Sequence, residues 1–357
     1  MSKLISKNHQ QGFSILEMIV AIAVMAVITG AVFALMRDSV KTSTSSIEMS
    51  DGQQSARTAQ EYINRDLMNT GDGLNSITNI RVPENFVTNY LALNPVTNPA
   101  TPGFINLALI ISDNDVPANT IVTGTAPAVA VRSTPVLTDR ITILQTDQTF
   151  VPITLNAADM TIATGAVAVS PADIDRFRVG EIYFLTSSVG SIFAAITDRT
   201  GVGSAAPALV FGGDALGLNN VGAGGQLDFV SAGATLPVSL SRMKMIHYYV
   251  NSAGLLMRRV FGVRNAPFNE SMISEHVVSL QFRYFLNMRD ANGNVMQPLN
   301  RLTTSQQQVE TRQVETTLTV ETAHALQNGQ RQQMSMTTST SVRNMQFRQS
   351  LQPTGGG

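Results

Sequence analysis

Glu17 is the residue whose position most needs a chemical reason. It carries the only charge between Phe13 and Met36, a run of 24 residues that is long enough to cross a bilayer. A carboxylate at the middle of such a helix costs about 2.5–3.5 kcal/mol to insert, and less near a helix end. Few other residues are spaced for chemistry. His9, His247, His276 and His324 form no i, i+3 or i, i+4 pair that could grip a metal. Cysteine is absent, which removes disulfides, zinc–thiolate sites and thiol nucleophiles. "GVGSAA" (201–206) has the spacing of a dinucleotide loop, but Pro207 follows and no amphipathic helix opens there, so a plain loop is expected. No G-x-S-x-G elbow occurs. "SDNDVPAN" (112–119) and "RDANGN" (289–294) could offer oxygen ligands to calcium, yet neither has the twelve-residue loop with its terminal glutamate. The second reads first as a hairpin turn. The expectation is a non-enzyme with no catalytic residue, cofactor or metal.

The chain has 357 residues, 43% hydrophobic and 14% charged, with a formal net charge of −1. Charge this sparse, with abundant Ser, Thr, Asn and Gln, suits the surface of a β-rich extracytoplasmic or fibre protein, against about 25% charged in ordinary globular chains. Near-neutrality argues against general nucleic-acid binding, since no excess of cations is present to displace counterions. "VSLQFRYFLNMR" (278–289) interleaves aromatic and basic residues. As a strand it puts Leu280, Phe282 and Tyr284 on one face and Gln281, Arg283 and Phe285 on the other, which a half-buried core strand explains without nucleic acid.

The amino terminus admits three readings. A secretory signal would have a shorter apolar region and a small-x-small cleavage site, which is missing here. A plain signal anchor explains the length but not Glu17. The third reading takes in a leader with Lys3, Lys7 and His9, then Gly12-Phe13-Ser14-Ile15-Leu16-Glu17 and uninterrupted apolar sequence. This resembles the class III (prepilin) signal of type IV pilins and type II secretion pseudopilins. The resemblance implies cleavage after Gly12 by a membrane prepilin peptidase and N-methylation of Phe13. It also gives Glu17 a role. Cleavage leaves a positive α-amino group on Phe13, about one helical turn away, and a buried charge is tolerated when paired. Glu17 would neutralise that terminus or the one on the next subunit of a fibre; the alternative is a membrane-facing acid that stays neutral. The leader lysines place the amino terminus in the cytoplasm, although Arg37 and Lys41 flank the far side.

The elements that must carry these residues follow. Residues 1–12 are leader, 13–36 the membrane half of a long helix, and 37–71 its amphipathic half, with Ala56, Ala59, Tyr62-Ile63 and Leu67 recurring at helical spacing. "TSTSS" (42–46) and Gly52 suggest bending or fraying midway. Gly71 sits where a C-cap glycine belongs. Arg57 and Asp66 share no helical face, so both are expected to be solvated. Residues 72–102 read as a connecting loop, 103–350 as a β-rich ectodomain, and 351–357 as a flexible tail. Strands are expected at 106–112, 139–147, 151–155, 160–169, 180–187, 191–198, on both sides of Asn251–Gly254, at 276–287, and last at 312–323. His247 is expected to be an ordinary strand-face residue, and Arg258-Arg259 to point to opposite faces. The architecture expected is α+β: a pilin-like lollipop with a helical stem and a β-rich head.

Two further stretches are similar to minor pilins of the PilW kind: "QQSARTAQEYINRDLMNTG" (53–71), and the downstream order Val179-Gly180-Glu181, Tyr248-Tyr249-Val250 to Arg258-Arg259, then Val278 to Tyr284. Arg312-Gln313-Val314-Glu315 departs from the family's closing strand. The resemblance implies inner-membrane residence with a periplasmic head, then transfer to a pilus at the cell surface. Implied partners are the prepilin peptidase, other minor pilins, the major pilin and the inner-membrane assembly platform. A J-like secretion pseudopilin, or an adhesin or DNA-uptake receptor on a pilin stem, remain the alternatives.

Overall fold

Ser14 caps the first helix, its hydroxyl accepting from the Leu16 amide at 3.3 Å, and α1 then runs unbroken from Ile15 to Met68. In this computed structural model the described residues are 14–71, 80–91, 103–107, 109–117, 137–232, 237–264, 266–290, 292–324 and 331–342. The Ser/Thr-rich midsection stays helical and does not fray, contrary to that part of the sequence expectation. Thr42 and Thr44 turn their hydroxyls back to the carbonyls of Asp38 (2.9 Å) and Val40 (3.0 Å), so they satisfy themselves within the helix. At 1.5 Å per residue, 54 residues make a rod about 81 Å long. Gly71 leaves it in the left-handed region (φ 73°), and its amide bonds Leu144 O at 3.0 Å, which ties the end of α1 to the head.

The head is built from strands. The first are β1 (Ile80–Pro83), β2 (Phe104–Leu107), β3 (Ile110–Pro117), β4 (Leu137–Thr146), β5 (Ile153–Leu155), β6 (Met160–Thr161) and β7 (Ala166–Ala168). Then come β8 (Ile182–Thr186), β9 (Ser191–Ala195), β10 (Asp198–Thr200), β11 (Ala208–Val210) and β12 (Val238–Val250). The last are β13 (Leu256–Phe261), β14 (Phe268–Ser274), β15 (Val277–Leu286), β16 (Thr311–Glu321) and β17 (Gln333–Ser341). The main sheet runs β14-β13-β12-β8-β9-β1-β2, with β3, β4 and β5 joined to it through β12 and β4. All its pairs are antiparallel except β1 with β9. The long β12 changes partners along both edges: β8 gives way to β13 on one side, and β5 to β4 on the other.

The remaining sheets are β10-β11-β7-β6 and β15-β16-β17. Alternation along the central strands feeds two cores. Ile182, Phe184 and Phe193 join the larger core with α1 and the β15–β17 sheet, while Tyr183, Leu185 and Ile192 join a smaller one with β5, β7 and β11. Along α1, Ala56, Ala59, Gln60, Ile63, Asp66 and Leu67 are buried, a stripe at helical spacing on one face.

Several boundaries differ from the sequence expectation. Within 72–102, expected as loop, the described part forms β1 and two helical turns, with Phe86, Val87 and Leu91 fully buried. The apolar run 106–112 is divided between β2 and β3, and 160–169 is a two-strand hairpin. β17 lies beyond the last expected strand. Its "QMSMTTSTS" has no apolar alternation strong enough to show in sequence, and pairing with β16 supplies the structure.

Candidate functional site

Two features of α1 could carry function, its uncovered apolar half and its docking half. Glu17 stands exposed in the first turn, and Gly12 and Phe13 lie outside the described residues. Around it the helix is apolar on every side and bare, with Ile15 79%, Leu16 71% and Phe33 67% exposed. The helix contains an 18-residue window of mean hydropathy 2.7 with none of it buried, so it is long and apolar enough to cross a membrane. A soluble surface does not leave such a stripe unpaired.

The other end of α1 is gripped by the head. Ser55 Oγ bonds Ser274 Oγ at 3.1 Å, and Ala56 and Ala59 let the helix approach closely because neither has a side chain beyond Cβ. Gln60 donates to Met336 O (2.8 Å) and accepts from Thr338 (2.8 Å), and Asn64 Oδ1 accepts from Thr340 (2.6 Å), so β17 lies along the helix. Nearer the neck, Glu48 holds the exposed His324 ring at 2.6 Å.

Asp66 is the centre of the dock. Its Oδ2 accepts from Tyr248 OH at 2.6 Å and from Arg258 Nε at 2.8 Å, and its main-chain carbonyl accepts from Gln145 Nε2 at 2.7 Å. Burial opposes the Arg258 cation, but the hydrogen bond to Asp66, together with the Tyr248 hydroxyl and the Asp66 charge, more than offsets it and raises its pKa. Burial and the Asp66 charge push the Tyr248 phenol up as well. The expectation of two solvated residues therefore holds for Arg57, which is exposed, and fails for Asp66, which is 4% exposed. A usable signal was present: Asp66 lies three residues after Ile63 and seven after Ala59, on the buried stripe.

The other sequence candidates are structural. Arg258 and Arg259 point to opposite faces: the first reaches Asp66, the second is fully buried with Nε 2.8 Å from Glu270. His247 is fully buried, more enclosed than an ordinary strand-face residue, with Nδ1 2.9 Å from Thr142 Oγ1. Burial, then Arg259 and Arg140, drive its pKa well below the usual value, so it is neutral. The residues 201–206 form the turn between β10 and β11. Asp290 caps its own turn, accepting from the amides of Asn292 (2.9 Å) and Asn294 (2.8 Å), and Asp113 faces Arg301 at 3.4 Å. Among the described residues no group of three His, Asp or Glu is placed to hold a metal.

Sequence reading gave no sign of one cavity of about 370 Å³, where Arg242 bridges Asp147 (2.8 Å) and Glu181 (3.3 Å) beside Lys244 and Arg264. Burial opposes the charge on Asp147, but hydrogen bonds from Thr149, together with Lys244 and Arg242, hold its pKa down at about 2. Each of its three cations, Arg242, Lys244 and Arg264, pairs with Asp147 or Glu181, which makes it an ion-pair cluster at the β4–β12–β8 junction.

Comparison with known proteins bears on the stem alone. A family model described as the prokaryotic N-terminal methylation motif matches residues 7–33. No curated protein matches the chain. The chain thus carries the amino-terminal signal of type IV pilins and pseudopilins, on an apolar helix suited to inner-membrane anchoring before assembly.

Proposed function

We propose that this chain is a structural minor pilin of the PilW kind. It is held in the inner membrane by α1, cut after Gly12 by the prepilin peptidase, N-methylated on Phe13 and built into a type IV pilus at or near its tip. The observation that carries this reading is the methylation motif placed at the head of a 54-residue helix whose amino-terminal half is apolar and bare. In the fibre, the exposed apolar half of α1 packs among the equivalent helices of other minor pilins and the major pilin, which removes it from water without a membrane. Glu17 pairs with a Phe13 amino group as subunits dock. The large β-rich head stays outside and makes contacts with partners or surfaces, supporting adhesion and motility. A J-like secretion pseudopilin shares the signal and the stem, and the size of the head favours the pilus.

Mass spectrometry of the chain extracted from its native membrane tests the reading. A mature terminus at methylated Phe13 is expected, with Gly12→Leu left uncut. A mature chain beginning elsewhere refutes it. Recovery in sheared surface fibres, against loss of protein secretion on deletion, separates the pilus from the secretion pseudopilus.

A further inference from the structure

We infer that the cavity at the β4–β12–β8 junction is a binding site for one carboxylate group carried on a short apolar stem. Three cations, Arg242, Lys244 and Arg264, meet two carboxylates there, Asp147 and Glu181, so the wall has one positive charge in excess. The excess sits at the rim. Arg242 is the inner cation, largely enclosed, and it spans both acids, which are themselves nearly buried. Lys244 and Arg264 stand outside it, their side chains 51% and 62% exposed.

Each acid has other partners besides the rim cations. Asp147 Oδ1 accepts from the Thr149 amide (3.0 Å) and hydroxyl (2.6 Å), and its Oδ2 accepts from Arg242 Nε (3.1 Å). Glu181 Oε2 accepts from Tyr183 OH at 2.6 Å, and Oε1 from Arg242 Nη1 at 3.3 Å. The rim cations are not used up in return. Lys244 Nζ lies 3.7 Å from Asp147, an ion contact too long to be a hydrogen bond. Arg264 spends Nε on Glu181 at 3.1 Å, and among the described residues its two Nη groups have no partner. The free edge of a guanidinium, with an ammonium lining the same cavity, is the donor set that holds a carboxylate.

The other walls set what accompanies that carboxylate. Met243 and Val263 supply apolar surface, and Gly262 brings the chain in close. Gly262 has φ 79°, and a Cβ there would lie 3.1 Å from Met243 O and 3.2 Å from Ile182 N. Glycine alone adopts that left-handed turn readily at so close an approach, and the turn carries Arg264 back to Glu181. A volume of about 370 Å³ is at the small end of ligand cavities, room for a carboxylate and a few carbons. Charge narrows the anion further. A carboxylate cancels the excess, whereas a phosphate monoester of charge about −1.5 to −2 overshoots it beside two fixed acids. This inference is independent of the fibre reading.

The test uses the detergent-solubilised full chain with methyl-labelled methionine, read by NMR. Met243 lines the cavity, and its signal is assigned as the one lost in Met243→Leu. Propionate supplies a free acid, N-acetylalanine the same group at a peptide terminus, and propionamide a neutral copy. A saturable shift of Met243 with propionate, and none with propionamide, is expected. Tighter binding of N-acetylalanine assigns the carboxylate to a peptide terminus and weaker binding to a free acid; either upholds the site. Lys244→Gln combined with Arg264→Gln should weaken propionate about tenfold or more. The other methionine signals should stay in place, because Arg242, Thr149 and Tyr183 still hold both acids. No saturable shift in the wild-type chain overturns the inference, as does equal binding by the double variant. A Met243 shift at lower concentration with inorganic phosphate than with propionate overturns the assignment to a carboxylate. If the double variant unfolds, Lys244→Gln alone leaves Arg264 on Glu181, and unweakened propionate binding there overturns the site.

Discussion

Replacing Asp66 with alanine isolates the dock between stem and head. The change strips the acceptor from Arg258 Nε and Tyr248 OH together. Removing one partner of a buried pair costs about 3–5 kcal/mol, because the other charge is left uncompensated. Here the Arg258 side chain is 19% exposed and can recover some water, which moves the charge contribution to the low end. Tyr248 OH still accepts from Arg258 Nε at 3.1 Å but loses its own acceptor, which adds about 1–3 kcal/mol. These two effects overlap, so the expectation for Asp66→Ala is about 4 kcal/mol. The assay is urea unfolding of the detergent-solubilised full chain, followed by circular dichroism and by tyrosine emission, since tryptophan is absent. Replacing the whole network with Asp66→Leu, Arg258→Met and Tyr248→Phe should restore most of the loss, because no ion then remains buried. A loss below about 1 kcal/mol for Asp66→Ala would refute the assignment of Asp66 as the dock.

Other outcomes follow from named residues. Glu17→Ala should be cut and methylated normally yet enter fibres poorly; normal incorporation would sink the pairing role. Ala59→Leu, at a fully buried position facing the head, should cost about 1–3 kcal/mol by overpacking in the same unfolding assay. His247 is neutral when folded, whereas in the unfolded chain it takes up a proton below pH of about 6.5. Its contribution is therefore present at neutral pH and lost as the pH falls, by about 2 kcal/mol between pH 6.5 and 5. His247→Gln should lack this slope, and equal slopes for the two chains would contradict the burial argument.

The stem was legible because its signals are local. The Gly12–Glu17 hexapeptide, the apolar run and the spacing of Ala56, Ala59 and Ile63 can each be read within a few residues. The strongest strands were legible for the same reason, since "IHYYV" and "LQFRYFL" alternate or run apolar by themselves. What escaped depended on distant partners. Asp66 looks like any surface acid until Arg258 and Tyr248 arrive from nearly two hundred residues away. β17 is polar along its length and becomes a strand through pairing with β16 and packing on α1. Arg242 likewise reads as a surface cation until Asp147 and Glu181 close on it. Thr42 and Thr44 misled in the other direction, because propensity penalises them while the return of each hydroxyl to its own turn costs the helix little.

The packing of α1 against β17 also sets an order of events during biosynthesis. The helix leaves the ribosome first and can enter the membrane at once, but β17 is the last described strand, 276 residues later at the Gln60–Met336 contact. Until that strand arrives, Ala56, Ala59 and Ile63 have no complete cover, and the loop to be closed takes in 276 of the 357 residues. Such non-local closure is slow. The nascent head therefore passes through an interval in which the stem presents an incompletely covered docking stripe, and β17, the last described strand, is the one that ends it.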